Sequence, residues 1–281
     1  MAYTARNVTS TIRPGSSAIQ ATADSGGRWT KVGDGEYTYT FGTKLPANYD
    51  KSATHSIGCY AGRDLTEFGF GIALDDDVYH FVPDGSSKPA PRDVVRTQSC
   101  QKCHVDTFAF HGTTGRVSME MCVLCHTPQT TDPDSGNTVD MPYMTHAIHM
   151  GVDLAKPYIV YGFGNVKYDY SHVSIPTDKR NCQVCHEANT GAAQANLALT
   201  RPTRSACGGC HNGVNFDTGE GHLNLPQPTD NLCSTCHIPQ GELEFDASIL
   251  GAHTIPQNLS LIHISEPTRL LSISYAVFCL K

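Results

Sequence analysis

The sequence contains no run approaching the roughly 18 consecutive apolar residues that span a bilayer, so no transmembrane segment is expected. Its opening residues, MAYTARNVTS, lack the apolar stretch of a secretory signal. Basic clusters are missing too: 20 Lys and Arg are scattered among 27 Asp and Glu, for a formal charge of −7. That removes the electrostatic footprint of a nucleic-acid or anionic-lipid partner, and nucleic acid is not expected as one. Tryptophan occurs once and charged residues make up only 17%, yet 39% of the chain is apolar, which is a globular balance and not a disordered one. At 281 residues there is room for two domains.

Two residue types are in excess, with 12 cysteines and 14 histidines. Disulfide scaffolds usually crowd their cysteines into short chains, whereas these fall in well-separated close pairs. Five times the pair is followed at once by histidine: Cys100, Cys103, His104; Cys122, Cys125, His126; Cys182, Cys185, His186; Cys207, Cys210, His211; and Cys233, Cys236, His237. Zinc knuckles and redox dithiols also use Cys-x-x-Cys, but neither needs a histidine after every second cysteine. Covalent haem attachment does: two thioethers hold one porphyrin while the next residue turns its imidazole onto the iron. Five covalently bound haem c groups are therefore expected.

Nine histidines remain. His55 and His80 precede the first motif, His172 sits in an extended-looking segment, YDYSHVSIP, that reads as surface, and His263 lies in an aberrant tail. The other five, His111, His146, His149, His222 and His253, match five irons one to one, as bis-histidine ligation requires. His146 and His149 in MTHAIHMG are three residues apart, so on a helix they share a side and can serve two neighbouring haems. Met119, Met121, Met141, Met144 and Met150 are alternative thioether ligands. An iron closed on both faces has no open position for substrate, which favours outer-sphere electron transfer over chemistry at the metal.

Residues 1–92 carry no Cys-x-x-Cys pair. The alternation of Tyr37, Tyr39 and Phe41 reads as strand, with further strands expected over Ser56–Ala61, Phe68–Leu74 and Val78–Val82. The fold class expected is a β domain, a Greek-key or split-barrel-like sandwich shortened at its front, followed by a mostly irregular, short-helix pentahaem domain over 93–260. A Pro/Ser-rich connector after Pro83 marks the boundary near 92. Cys59, a lone thiol in a strand, is expected as a small buried hydrophobe. The final stretch, 261–281, resembles translated sequencing-adapter read-through, and no role is expected for Cys279 or His263. Because haem c is attached outside the cytoplasm, the chain reads as a fragment whose export signal or lipid anchor lies upstream.

Three strings, CVLCHTPQTTDPDSGNTVDMPYMTHAIHMG, ACGGCHNGVNFDTGEGH and FDASILGAHTIP, resemble the outer-surface decahaem c-type cytochromes of metal-respiring bacteria, the OmcA/MtrC family. The likeness covers roughly residues 30–260 and implies one half of such a protein. It also implies a β-barrel-like domain before a pentahaem domain, export to the cell surface or outer-membrane face, and His111, His146, His149, His222 and His253 as distal ligands. The family's second β and pentahaem domains have no counterpart here.

The function expected is extracellular electron transfer, from an outer-membrane conduit or another multihaem cytochrome to metal oxides, soluble metals or flavins, with no catalytic residue. A pentahaem nitrite-reductase-like enzyme is the competing reading. Such enzymes resemble a Cys-x-x-Cys-Lys pattern at the active haem, but all five motifs here end in His, and Lys102 occupies a spacer position. A third reading makes the β domain a docking module.

Overall fold

The computed structural model describes residues 2–104, 108–241 and 247–255. Its first part is built from antiparallel hairpins: β1 (Ala5–Thr9) with β2 (Ser17–Ala21), β3 (Arg28–Lys31) with β4 (Tyr37–Thr40), and the long β5 (His55–Asp64) with β6 (Ile72–Phe81). In the second hairpin Trp29 lies opposite Tyr39 with ring centroids 4.7 Å apart, the cross-strand aromatic pairing that the Tyr37/Tyr39 alternation makes available.

These ladders are two-stranded, and among the described residues no barrel closes, in contrast to the expected sandwich or split barrel. The strand expected over Phe68–Leu74 is also displaced. The chain turns over Thr66–Phe68 and passes Gly69 at φ 78°, so β6 begins at Ile72 and runs unbroken through the segment read as a separate strand. A left-handed glycine inside an apolar-looking run ends extended structure there.

Cys59 is exposed, not buried: among the described residues β5 is in a two-stranded ladder with β6, where Asp77 stands opposite Cys59. His55 is a packed histidine, with its Nε2–H donating to the Asp50 carbonyl at 2.7 Å and its ring lying between Tyr3, Tyr49 and Phe81.

From Thr97 onward the chain forms short helices joined by loops: α1 (Thr97–Gln101), α2 (Met119–Cys125), α3 (Met141–Met150), α4 (Leu197–Thr200), α5 (Arg204–Cys210), α6 (Cys233–Cys236) and α7 (Ile249–Ala252). One small hairpin, β7 (Ile159–Tyr161) with β8 (Lys167–Asp169), interrupts them, and His172 is exposed in the turn that follows. No described helix is long and apolar enough to cross a membrane. The longest, α3, starts behind Asp140, carries Pro142 in its first turn and buries Ala147 completely.

Only eight apolar side chains are buried among the described residues, while Phe163, Leu223, Leu225 and Leu232 are exposed. So small a side-chain core cannot by itself order a chain of this length. The two parts are nevertheless joined. Asp76 of β6 accepts from the Val117 and Ser118 amides at 2.6 and 2.9 Å, just ahead of α2. Gly115 (φ 81°) lies so close to β5 that a Cβ there would fall 2.1 Å from the Ala61 carbonyl oxygen. The turn after β1 is held by Asp134, which accepts from Ser10 Oγ at 2.7 Å and from the Thr11 and Ile12 amides at 2.8 and 3.1 Å.

Candidate haem-anchoring site

All five Cys-x-x-Cys-His segments adopt the same turn. The histidine amide donates to the carbonyl of the first cysteine at 2.9 Å for His104, 3.0 Å for His126, 2.9 Å for His186, 2.8 Å for His211 and 3.0 Å for His237. One helical turn places residues i and i+3 on a common side and carries i+4 just past them. Both sulfurs of a motif thus face one direction, with the imidazole beside them. Side-chain caps start two of these turns: Ser118 Oγ accepts from the Met121 amide at 3.1 Å, and Thr203 Oγ1 from the Ala206 amide at 3.2 Å.

Each motif histidine faces one histidine from elsewhere in the chain. His104 faces His149 with ring centroids 6.2 Å apart, His126 faces His111 at 5.9 Å, and His186 faces His146 at 6.2 Å. His211 faces His253 at 6.2 Å and His237 faces His222 at 6.1 Å. These are too far apart for direct contact. A metal held between two imidazole nitrogens at about 2.0 Å each, with about 1.1 Å from each nitrogen to its ring centre, gives a centroid separation of roughly 6.2 Å.

The tautomers suit that role. Nδ1 of His126, His146, His149, His222 and His253 lies 2.7 to 3.0 Å from the carbonyl oxygens of Val139, Ala206, Thr145, Leu225 and Ile249. A carbonyl only accepts, so each Nδ1 carries the proton and each Nε2 keeps its lone pair for a metal. Burial holds His186 down to about 4, with His146 and Arg92 adding to the effect, and holds His111 down to about 4, with Arg116 and His126 adding. Neutral imidazole is the form that ligates.

Burial pushes the Cys122 thiol up to about 12 and those of Cys100 and Cys210 up to about 11, environments suited to uncharged sulfur. Ser99 Oγ, next to Cys100, and His186 Nδ1, within the third motif, are buried with no hydrogen-bond partner among the described residues, polar atoms that a bound group could satisfy. Facing imidazoles, paired uncharged sulfurs and a thin side-chain core together fit haem c.

Neighbouring motifs are tied to one another. Thr97 Oγ1 of α1 accepts from the Met119 amide of α2 at 2.9 Å, joining the first and second motifs. Lys102 donates to Val184 O at 3.3 Å and pairs with Glu187, joining the first and third. His149 and His146 ride on α3 toward those same two motifs. His146 Nδ1 bonds to Ala206 of α5, linking the third to the fourth, and Arg204 pairs with Asp230 at 2.8 Å, linking the fourth to the fifth. The thiols report the same neighbours: Cys185 adds to the rise of Cys100, Cys182 to that of Cys210, and Cys233 to that of Cys207, each after burial as the larger cause.

The ten histidines brought into facing pairs are the ten singled out from the sequence, whereas His55, His80 and His172 stand apart from them; His263 and Cys279 lie outside the described residues. Sequence reasoning missed Arg116, whose guanidinium sits 4.7 Å over the Tyr60 ring of β5 and donates to its hydroxyl at 3.2 Å. It also missed Glu187 and the Ala206 carbonyl. Single charged residues and main-chain acceptors leave no spacing signal.

A repeated cysteine-pair turn with an imidazole facing each motif histidine defines a multihaem c-type cytochrome. The family model for outer membrane cytochromes, MtrC/MtrF-like, domains II/IV, matches residues 92–250, and the chain belongs to that family. The multihaem cytochrome MtrC of Shewanella baltica (strain OS185) is 26% identical over 213 residues, covering 74% of this chain and 29% of that protein. The crystal structure of the outer membrane decahaem cytochrome OmcA matches with a TM-score of 0.69 and 26% identity over 90% of this chain and 39% of OmcA. The crystal structure of MtrC from Shewanella baltica OS185 shares the fold, with a TM-score of 0.57 and 23% identity over 89% of this chain and 38% of that one. The chain thus spans well under half the length of these relatives.

Proposed function

We propose that this chain conducts electrons through five haem c groups, each anchored by one cysteine pair and closed on both faces by imidazole. The observation that carries this reading is the five facing pairs: five separations within 5.9–6.2 Å, each joining one motif histidine to one remote histidine. Haem c, when bound, supplies one-electron chemistry at its iron. The chain's part is to attach, orient and space. Cys100 and Cys103, and their four counterpart pairs, hold the porphyrins. His104 with His149, His126 with His111, His186 with His146, His211 with His253, and His237 with His222 leave no open position for substrate, and this disfavours a catalytic reductase. The ties between motifs support the order second, first, third, fourth, fifth along the path.

In this reading residues 93–260 form a pentahaem unit and residues 1–92 a β unit. The protein acts at the outer-membrane face or cell surface, receiving electrons from a membrane conduit or another multihaem cytochrome. It passes them to an extracellular acceptor such as a metal oxide, soluble metal or flavin. The family described above as outer membrane cytochromes supports that location.

Low-temperature EPR combined with the intact mass of exported protein tests the proposal. Five added haem masses and only low-spin ferric signals are expected. A mass equal to the bare polypeptide, or zinc on the cysteine pairs, would overturn it. A high-spin signal worth one fifth of the iron would favour the reductase.

A further inference from the structure

The two glycines between the cysteines of the fourth motif do more than space them. Both Gly208 and Gly209 are buried on α5 where α3 crosses it. A Cβ at Gly209 would fall 2.7 Å from the His146 Cβ, 2.7 Å from the Tyr143 carbonyl oxygen and 3.2 Å from the Tyr143 Cα. Two of those three atoms are main chain of α3, so the helix itself would have to move. A Cβ at Gly208 would meet only ring edges, Phe216 at 3.3 Å and Tyr143 at 3.4 Å, which can give slightly. The close approach is used at once: Ala206, one residue before Cys207, offers its carbonyl to His146 Nδ1 at 2.9 Å. Ser205 Oγ donates to Asp140 at the start of α3 at 2.5 Å, closing the other end of the contact.

We propose that Gly209 is a positioning residue for the neighbouring haem: by letting α3 lie on α5, it places the imidazole of His146, the partner of His186, under the orienting hydrogen bond of Ala206. The segment that would anchor the fourth haem therefore positions a histidine that would hold the third. An outer hydrogen bond to the ligand's Nδ1–H fixes ring orientation and raises ligand basicity, which tunes the metal. The inference rests on the haem reading above, and a separate measurement tells the two apart.

The test uses the exported, haem-loaded full chain carrying Gly209→Ala, compared with Gly208→Ala and with His146→Ala, which marks the signal belonging to the third motif. Gly209→Ala is expected to retain five covalent haems while shifting the g-values and raising the reduction potential of the marked signal, because a weaker bond to Nδ1–H makes the imidazole a poorer donor to the ferric state. The His149 signal follows to a smaller extent because it rides on the same helix, and Gly208→Ala gives the smaller change. Five unchanged signals in Gly209→Ala, or five that drift together, would overturn the positioning role. If Gly209→Ala fails to accumulate, Ser205→Ala loosens the same contact without adding atoms, and an unmoved marked signal there would overturn it equally. Absence of covalent haem from the unmodified chain, read by pyridine haemochrome, would instead defeat the underlying haem reading.

Discussion

Lys102, the second spacer of the first motif, donates to the carbonyl oxygen of Val184, the second spacer of the third, at 3.3 Å, and pairs with Glu187 one residue beyond His186. Two Cys-x-x-Cys-His turns 82 residues apart are thereby fastened at equivalent positions. Both side chains are partly exposed, at 39% and 26%, so solvent screens the pair and its loss costs under about 1 kcal/mol. Lys102→Ala is expected to lower the melting temperature only slightly and to keep every low-spin signal, since the ammonium is engaged with Glu187 and the Val184 carbonyl. Loss of a low-spin signal on this substitution would mean that the lysine is itself a ligand.

His149→Ala should remove one low-spin signal while the covalent haem count stays at five. The first motif's sulfurs do not depend on its distal imidazole, and the ring facing His104 disappears. His172→Ala, at an exposed turn, should leave all signals alone. Intact mass and EPR on the two variants give the comparison. Unchanged ligation in His149→Ala would remove His149 from the conductor.

What was legible in the sequence is what local spacing dictates. A Cys-x-x-Cys-His string closes one helical turn whatever surrounds it, and the i, i+3 relation puts His146 and His149 on one side of α3. Partner choice was not legible. His111 faces His126 although His104 is nearer along the chain, because residues 112–118 turn back under β5, where Gly115 meets Ala61. Parts of β5 and β6 are expected from the strand candidates Ser56–Ala61 and Val78–Val82, but their pairing is not, because a strand pattern does not say what lies beside or over either face. Cys59 shows the same limit: a strand position suggested burial, and the open ladder leaves it exposed.

The tie between the first hairpin and the haem-bearing part should weaken in acid. Asp134 is held below the ordinary aspartate value of 3.8, first by the Ser10 hydroxyl and then by the Thr11 and Ile12 amides. Because its folded value is depressed, the stabilisation is fully present above pH 3.8 and fades as pH falls through the lower folded value. Amide exchange at Thr11 and Ile12 should accelerate there, and Asp134→Asn should show the fast exchange already at neutral pH. Equal protection across that range in both proteins would mean that the aspartate does not hold the turn.

Arg116 links the β hairpins to the second Cys-x-x-Cys-His motif. Its guanidinium stacks on Tyr60 of β5, and its charge reaches His111, His126 and Cys125 around the second motif, in each case as a smaller effect than burial. A fixed cation beside an iron favours the state that has gained an electron. Arg116→Gln should therefore lower the reduction potential of the haem bound by Cys122 and Cys125 and leave the haem at Cys233 and Cys236 nearly untouched. Tyr60→Leu, which removes the stacking face and the hydroxyl acceptor at 3.2 Å, should move the same potential in the same direction by less. Potentiometric titration followed by EPR resolves the five centres. If residues 1–92 serve only as a docking module, Tyr60→Leu changes no potential; a shift confined to the second motif makes them part of the conductor's tuning.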